Sequence, residues 1–409
     1  MLNHPTFSPW PSFSSEEAAA VQNVLLSNKV NYWTGNQARL FEEEFAAWTG
    51  VKHAISLANG TLALDLALNA LEIGPGDEVI VTPRTFIASV SCIVNAGAIP
   101  IFADVDQDSG NINADTITKV ITPKTKAIIC VHLAGWPCNM DPIMELADRL
   151  NICVIEDCAQ AHGARYKGRS VGSIGHIGAW SFCQDKIMTT GGEGGMLTCD
   201  DEKLWRAMWA YKDHGKSYEA VYERHHPEGY RWLHESFGSN FRMTEMQAAI
   251  GRVQLSRMPE WNSVRAKYAM EIRRALLTYS GDDGFIRLVD LKCSGFDSCS
   301  ISSCNCQHAY YRYYFYTRPE NLPPRWSRDR IIDQVNELGV PCFSGSCSEI
   351  YLEKAFEGTD YKPDHCLPNA KLLGENAISL LVHPTLTLEE MNKIVEVLHC
   401  VFGKILNAG

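Results

Sequence analysis

The chain has 409 residues, room for two or three domains at roughly 100–200 residues each. An apolar share of 45%, with 21% charged residues and 10% aromatics, is ordinary for a globular protein and excludes a disordered chain, a collagen-like repeat and a coiled coil. Forty-eight acidic against 37 basic residues leave a formal charge of −11, so no nucleic-acid partner is expected, and a small anionic ligand has to be held by local cations and backbone N–H groups.

The opening residues, Met1-Leu-Asn-His-Pro-Thr-Phe-Ser-Pro9, lack the basic region and apolar core of a signal peptide. No apolar run approaches the ~20 residues of a membrane span. The expectation is a cytoplasmic protein with no membrane partner. Ser14 and Glu17 have capping-box spacing and open a helix through Leu26. Asn59-Gly60-Thr61 leads into a helix over 62–71, and Gly74-Pro-Gly-Asp77 makes a turn before the strand Glu78-Val-Ile-Val81. Further strands are expected at 99–103, 127–132, 153–156 and 178–182, with helices near 85–95 and 141–150. Several of these strands are apolar throughout, as strands covered on both faces are. Strand–helix alternation of this length predicts an α/β fold with a mostly parallel sheet between helices.

After about residue 245 the texture changes. A helical region from Met243 to about Ser280 is positioned to hinge two units, 1–245 and 246–409. It is followed by a serine- and cysteine-rich segment, 293–306, and by the aromatic run Tyr310-Tyr-Arg-Tyr-Tyr-Phe-Tyr316. Helices near 327–338 and 387–405 complete a smaller α+β unit. The fifteen cysteines sit mostly in apolar runs (Cys92, Cys130, Cys153) and read as buried reduced thiols of a reducing compartment. Cys293, Cys299, Cys304 and Cys306 fit no common zinc spacing, so no metal is expected and the segment reads as a variable loop.

Three features fall at or near strand carboxyl ends, where open parallel sheets gather ligands. Gly60 and Thr61 at a helix start leave N–H groups free for a phosphate. Asp157 ends an apolar run and needs a cationic or N–H partner, such as a protonated ring nitrogen. Lys186 follows a strand by a few residues and precedes four glycines within five positions, a crowding that implies close backbone approach. Singly, each has a plainer reading: a turn and cap, a helix-capping aspartate, a surface amine. Together they fit pyridoxal 5'-phosphate, which needs a phosphate cradle, an aspartate for its pyridinium nitrogen and a lysine for its aldehyde. Phe86, at the start of the helix after 78–81, is either core or the aromatic stacked on that ring.

The same residues carry a resemblance. Ala58-Asn-Gly-Thr61, Gly76-Asp-Glu-Val-Ile80, Ile155-Glu-Asp-Cys-Ala-Gln-Ala-His-Gly163, the Lys186 segment, Ser239-Asn-Phe-Arg-Met243, His308-Ala-Tyr-Tyr-Arg-Tyr313 and Gly345-Ser-Cys-Ser-Glu-Ile-Tyr351 resemble, in order and over nearly the whole chain, the DegT/StrS nucleotide-sugar aminotransferases of fold type I. The resemblance implies that Lys186 forms the imine with the cofactor and that Asp157 partners the ring nitrogen. It implies that Gln160 bonds the ring's phenolic oxygen, and that Gly60, Thr61 and Ser181 hold the phosphate. Asn240 would reach it from the neighbouring subunit of a homodimer, with Phe86 over the ring. His162 is either part of the site wall or a buried, hydrogen-bonded histidine. For the sugar nucleotide the resemblance points to Trp33, Thr34, the loop at Glu193, Arg242 and the His308–Tyr316 region. The implied reaction moves an amino group from glutamate to a 4-keto-6-deoxy sugar on UDP or dTDP. A 3-keto sugar is the alternative, and a non-catalytic cofactor-binding regulator a more distant one. The related sugar dehydratases carry histidine at the position of Lys186, so the lysine argues against them.

Overall fold

The computed structural model describes residues 7–289 and 305–408. The cysteines at 293, 299 and 304, and most of the segment expected to be a variable loop, lie outside the described residues. Among the described residues eleven cysteines are free, in line with the reduced thiols expected. Cys306 departs from that expectation, being joined in a disulfide.

Helices α1 (Ser15–Leu26) and α2 (Gln37–Thr49) precede strand β1 (His53–Leu57). Ser14 closes the capping box with Glu17, and Glu17 is itself buried. The chain then alternates as expected: α3 (Gly60–Ala70), β2 (Glu78–Val81), α4 (Ala88–Asn95), β3 (Ile99–Phe102), α5 (Ala114–Thr118), β4 (Thr125–Val131), α6 (Met140–Leu150) and β5 (Cys153–Asp157). A small hairpin, β6 (Arg165–Tyr166) and β7 (Arg169–Ser170), intervenes before β8 (Ile177–Ser181) and β9 (Gly195–Cys199). The main sheet has seven strands in the order β1-β9-β8-β5-β4-β2-β3. Neighbouring strands run parallel except at β9, which is antiparallel to both β1 and β8. Ala127, Ile128, Ile129, Val154 and Ile155 are wholly buried, as β-rich runs covered on both faces must be.

Helices α7 (Glu202–Lys212) and α8 (Tyr218–Tyr222) follow. Helix α9 then runs unbroken from Glu245 to Leu276, 32 residues or about 48 Å at 1.5 Å per residue. Thr244 and Gln247 form its capping box. Its first half packs on α1 and α2, and it also packs against the closing helix Leu388–Leu406. Strands β10 (Ile286–Leu288), β11 (Tyr313–Thr317), β12 (Cys342–Phe343) and β13 (Ala377–Leu380) make a second, antiparallel sheet in the order β10-β11-β13-β12. The aromatic run therefore packs as a buried strand at Tyr313–Thr317. Among the described residues no helix is long and apolar enough to cross a membrane.

Candidate active site

Strand register places the candidate residues along one edge. Asp157 pairs with Ala179, and Ser181, two residues further on, pairs with Gly195. Gly195 in turn faces Leu57, so the exits of β1, β5 and β8 share an edge with the entry to β9. Each exit leads directly into a candidate segment.

The Asp157 carboxylate is 6% exposed. One oxygen accepts from the Ser89 hydroxyl at 2.7 Å and the other from the Ala159 amide at 3.1 Å. Thr85 donates to Ser89 in turn, at 2.7 Å. A carboxylate offers about four acceptor positions, so these partners orient Asp157 while leaving it able to accept from a protonated nitrogen. No cation lies on it among the described residues.

At the exit of β1, Asn59 caps α3 by accepting from the Leu62 amide at 2.9 Å. The amides of Gly60 and Thr61 lie in the first turn, where a helix supplies no acceptor. A Cβ on Gly60 would meet Ser181 Cβ at 2.5 Å, and one on Gly195 would meet the Asn59 carbonyl at 2.3 Å. Only glycines let the helix start, the β8 exit and the β9 entry approach this closely. The result is a concave cradle of N–H groups with two hydroxyls, those of exposed Thr61 and half-buried Ser181. That donor set suits a phosphate.

Lys186 sits on a turn between β8 and β9, its amide bonded to the Cys183 carbonyl. The turn is pinned by Thr189, whose hydroxyl donates to the Phe182 carbonyl and whose amide donates to the Gln254 side-chain oxygen on α9. Gly191 and Gly192, at φ +91° and +128°, return the chain to β9. The lysine side chain is 15% exposed and its Nζ lies 3.4 Å from Asp185 Oδ2. The ammonium also sits over the Tyr311 ring at 5.4 Å, and the Tyr311 hydroxyl donates to the same Asp185 oxygen. Burial opposes ionisation of Asp185, but Lys186 and Tyr311 outweigh it and hold its carboxyl below the usual range. Neither Asp185 nor Tyr311 was singled out by sequence. The only signal was their place in a lysine loop and an aromatic run 126 residues apart.

Gln160 accepts from the Ala134 amide at 2.7 Å, fixing its side chain by the oxygen. Phe86, just beyond Thr85, is 69% exposed and stands clear of the core, so the core-packing alternative falls. His162 is wholly buried against Trp180 and Phe182, with centroids at 5.2 and 5.6 Å. Burial, with the nearby charges of Lys186 and Arg265, lowers its pKa to about 3. Neither of its ring nitrogens makes a sound side-chain hydrogen bond.

The other candidates spread further. Phe241 accepts the Ala58 amide and Arg242 bridges Leu57, so their segment flanks the cradle. The Arg242 guanidinium donates to buried Asp213, and Asn240 is exposed. Trp33 packs among Trp209 and Tyr222 with the Lys216 ammonium 4.2 Å over its ring, and Thr34 is exposed beside it. Glu193 is exposed on the glycine loop. His308 stacks on Tyr310 at 4.0 Å, and burial lowers its pKa to about 3.

Behind Asp157, His132, Glu156 and buried Cys158 lie within metal-ligating distance of one another. Glu156 already accepts from the amides of Gly172, Ile174 and Gly175 and pairs with His132 at 2.9 Å. Its oxygens are filled, so the cluster clamps the 172–175 turn to the sheet.

A solved structure of an aminotransferase from Psychrobacter cryohalolentis superposes with a TM-score of 0.95 at 62% identity, covering 98% of this chain and 100% of that one. The GDP-perosamine synthase of Escherichia coli O157:H7 is 42% identical over 259 residues, 63% of this chain and 68% of that protein. The dTDP-3-amino-3,4,6-trideoxy-alpha-D-glucose transaminase of Streptomyces venezuelae is 31% identical over 382 residues, 93% of this chain and 91% of that one. Residues 11–399 match the model of one family, and the chain belongs to it: the DegT/DnrJ/EryC1/StrS aminotransferases.

Proposed function

We propose that this aminotransferase uses pyridoxal 5'-phosphate to move an amino group from glutamate to the keto carbon of a nucleotide-linked 4-keto-6-deoxy sugar, releasing 2-oxoglutarate and the aminosugar. One observation carries the reading: an oriented carboxylate with no cation on it among the described residues, a lysine turn and an N–H cradle closed by two glycines lie on one sheet edge. When bound, the cofactor supplies the electron sink that makes a substrate C–H bond acidic.

The chain's residues supply the rest. Gly60, Thr61 and Ser181 bind the phosphate through N–H and O–H donors. Asp157 holds a proton on the ring nitrogen by charge, and Gln160 donates its amide N–H to the phenolic oxygen. Phe86 covers the ring face. Lys186 holds the aldehyde and moves a proton at its Nζ, as base and then acid. Asp185 and Tyr311 steady that ammonium between transfers. Asn240 serves the phosphate of a second copy, which makes the working unit a homodimer. Trp33, Thr34, Glu193, Arg242 and His308 shape the sugar-nucleotide side. The location is the cytoplasm.

The relatives' names carry both GDP- and dTDP-linked sugars, and the dTDP name supports the 3-keto alternative. The test is a screen of UDP-, dTDP- and GDP-linked 3- and 4-ketosugars with glutamate, read by mass spectrometry. A mass gain on a 4-ketosugar, with equimolar 2-oxoglutarate, is expected. Amination of a 3-ketosugar alone moves the carbon assignment, and a yellow protein that glutamate never bleaches sinks the catalytic reading.

A further inference from the structure

We infer that Trp10 is a positioning residue for Lys186, and that the segment around it couples the lysine turn to the C-terminal unit. The inference rests on the role proposed for Lys186. Trp10 lies one residue outside the span matched by the family model, on a stretch with no helix or strand of its own. Its indole N–H donates to the Lys186 backbone carbonyl at 2.8 Å, across 176 residues of sequence. That carbonyl belongs to a turn, so no strand ladder holds it, and the indole fixes where the lysine backbone starts.

The indole is itself held on several sides. Trp261 of α9 meets it edge-on at 5.2 Å, His383 stacks at 6.0 Å, and the Arg265 guanidinium lies 5.0 Å over its ring. Arg265 is buried and donates to the Tyr310 carbonyl at 3.2 Å, next to the Tyr311 that covers the Lys186 ammonium. One residue before Trp10, the Pro9 carbonyl accepts from Thr385 Oγ1 at 2.9 Å, and Thr385 pairs with His383 Nδ1 at 2.8 Å. The Ser8 amide donates to Glu390 at the start of the closing helix. On the other side, Arg257 of α9 binds Ser14, Glu16 and Glu17. A short irregular segment thus touches the lysine turn, the long helix and the C-terminal unit at once. Displacing His383 and Thr385 moves Pro9 and Trp10, and with them the Lys186 carbonyl.

The test uses the whole chain with Trp10→Phe, which keeps an aromatic ring and removes the N–H, and Thr385→Val, which leaves Trp10 in place and releases Pro9. Two readouts avoid turnover: the rate at which borohydride fixes pyridoxal phosphate to Lys186, and amide hydrogen exchange across 183–190. Loss of one such hydrogen bond should slow fixation and speed exchange by about fivefold in each variant. Turnover should then fall in kcat with KM for the sugar nucleotide unchanged. Fixation and exchange within twofold of the parent in both variants overturn the inference. If Trp10→Phe does not fold, Thr385→Val decides alone. A parent chain that is never labelled at Lys186 defeats the proposed function instead, so the two failures are distinguishable.

Discussion

The surroundings of Asp157 and the loop between α8 and α9 lie at opposite extremes of the molecule. Asp157, Thr85 and Ser89 are almost wholly buried, and each is tied by a short hydrogen bond. In the loop, Tyr230, Trp232 and Phe237 are 86%, 82% and 100% exposed, a concentration of bare aromatic surface that monomers rarely leave open. The contrast teaches that one half of the proposed site is preorganised within a single chain, while the segment leading to Asn240 has its apolar surface still to bury. The homodimer proposed above would bury it.

The comparison is broken most severely at its buried end. Lys186→Ala should leave the thermal midpoint near that of the parent and lower kcat by about 10³-fold or more, since the proposed mechanism gives its proton transfers to no other side chain. Wild-type turnover removes the lysine from the mechanism. Asp157→Asn keeps the shape and deletes the charge. It should cost about 10²–10³-fold in kcat and shift the visible band of the loaded protein, whereas a change confined to stability makes Asp157 a structural residue.

At the exposed end, Phe237→Ser should weaken self-association by about 1.5–3 kcal/mol if that ring is buried by a second copy. Sedimentation of dilute protein reads this directly, and an unchanged dimer constant assigns the loop no part in assembly. The buried half also has a pH signature. His162 stays neutral in the folded chain down to about pH 3, while in the unfolded chain it binds a proton below its ordinary value of 6.5. Stability is therefore full above 6.5 and declines as pH falls toward 3. At pH 5 the loss from this residue is about 2 kcal/mol. Urea unfolding from pH 7 to 5 should show that contribution, and His162→Phe should lessen the slope by its share, with buried His308 keeping its own, whatever the variant does to absolute stability.

Much of the preorganised half was legible in the sequence, because its signals are local. A polar residue ending an apolar strand, a glycine opening a helix and a lysine before a glycine run are each read within a few positions. Strands β1 and β9 escaped notice: each has five residues, and β9 emerges from the glycine run that masks its start. Partners brought together over distance were equally invisible. Nothing near Asp185 announces Tyr311, and nothing in an irregular opening stretch announces that Trp10 meets Lys186. Trp33 is a further case: its neighbours Trp209, Tyr222 and the Lys216 ammonium lie far along the chain, and nothing local announces them.

The single rod of α9 sets a rule for how such a chain can vary. Inserting one residue midway would turn everything beyond it by about 100° and advance it by 1.5 Å. Arg265 would swing off the Tyr310 carbonyl, and Asn262 would leave the place where it abuts Gly163 so tightly that even a methyl group there has no room. Both sheets would survive, but the second half of α9 would no longer meet its partners. Changes of length should therefore collect in the loops, while this helix keeps its residue count.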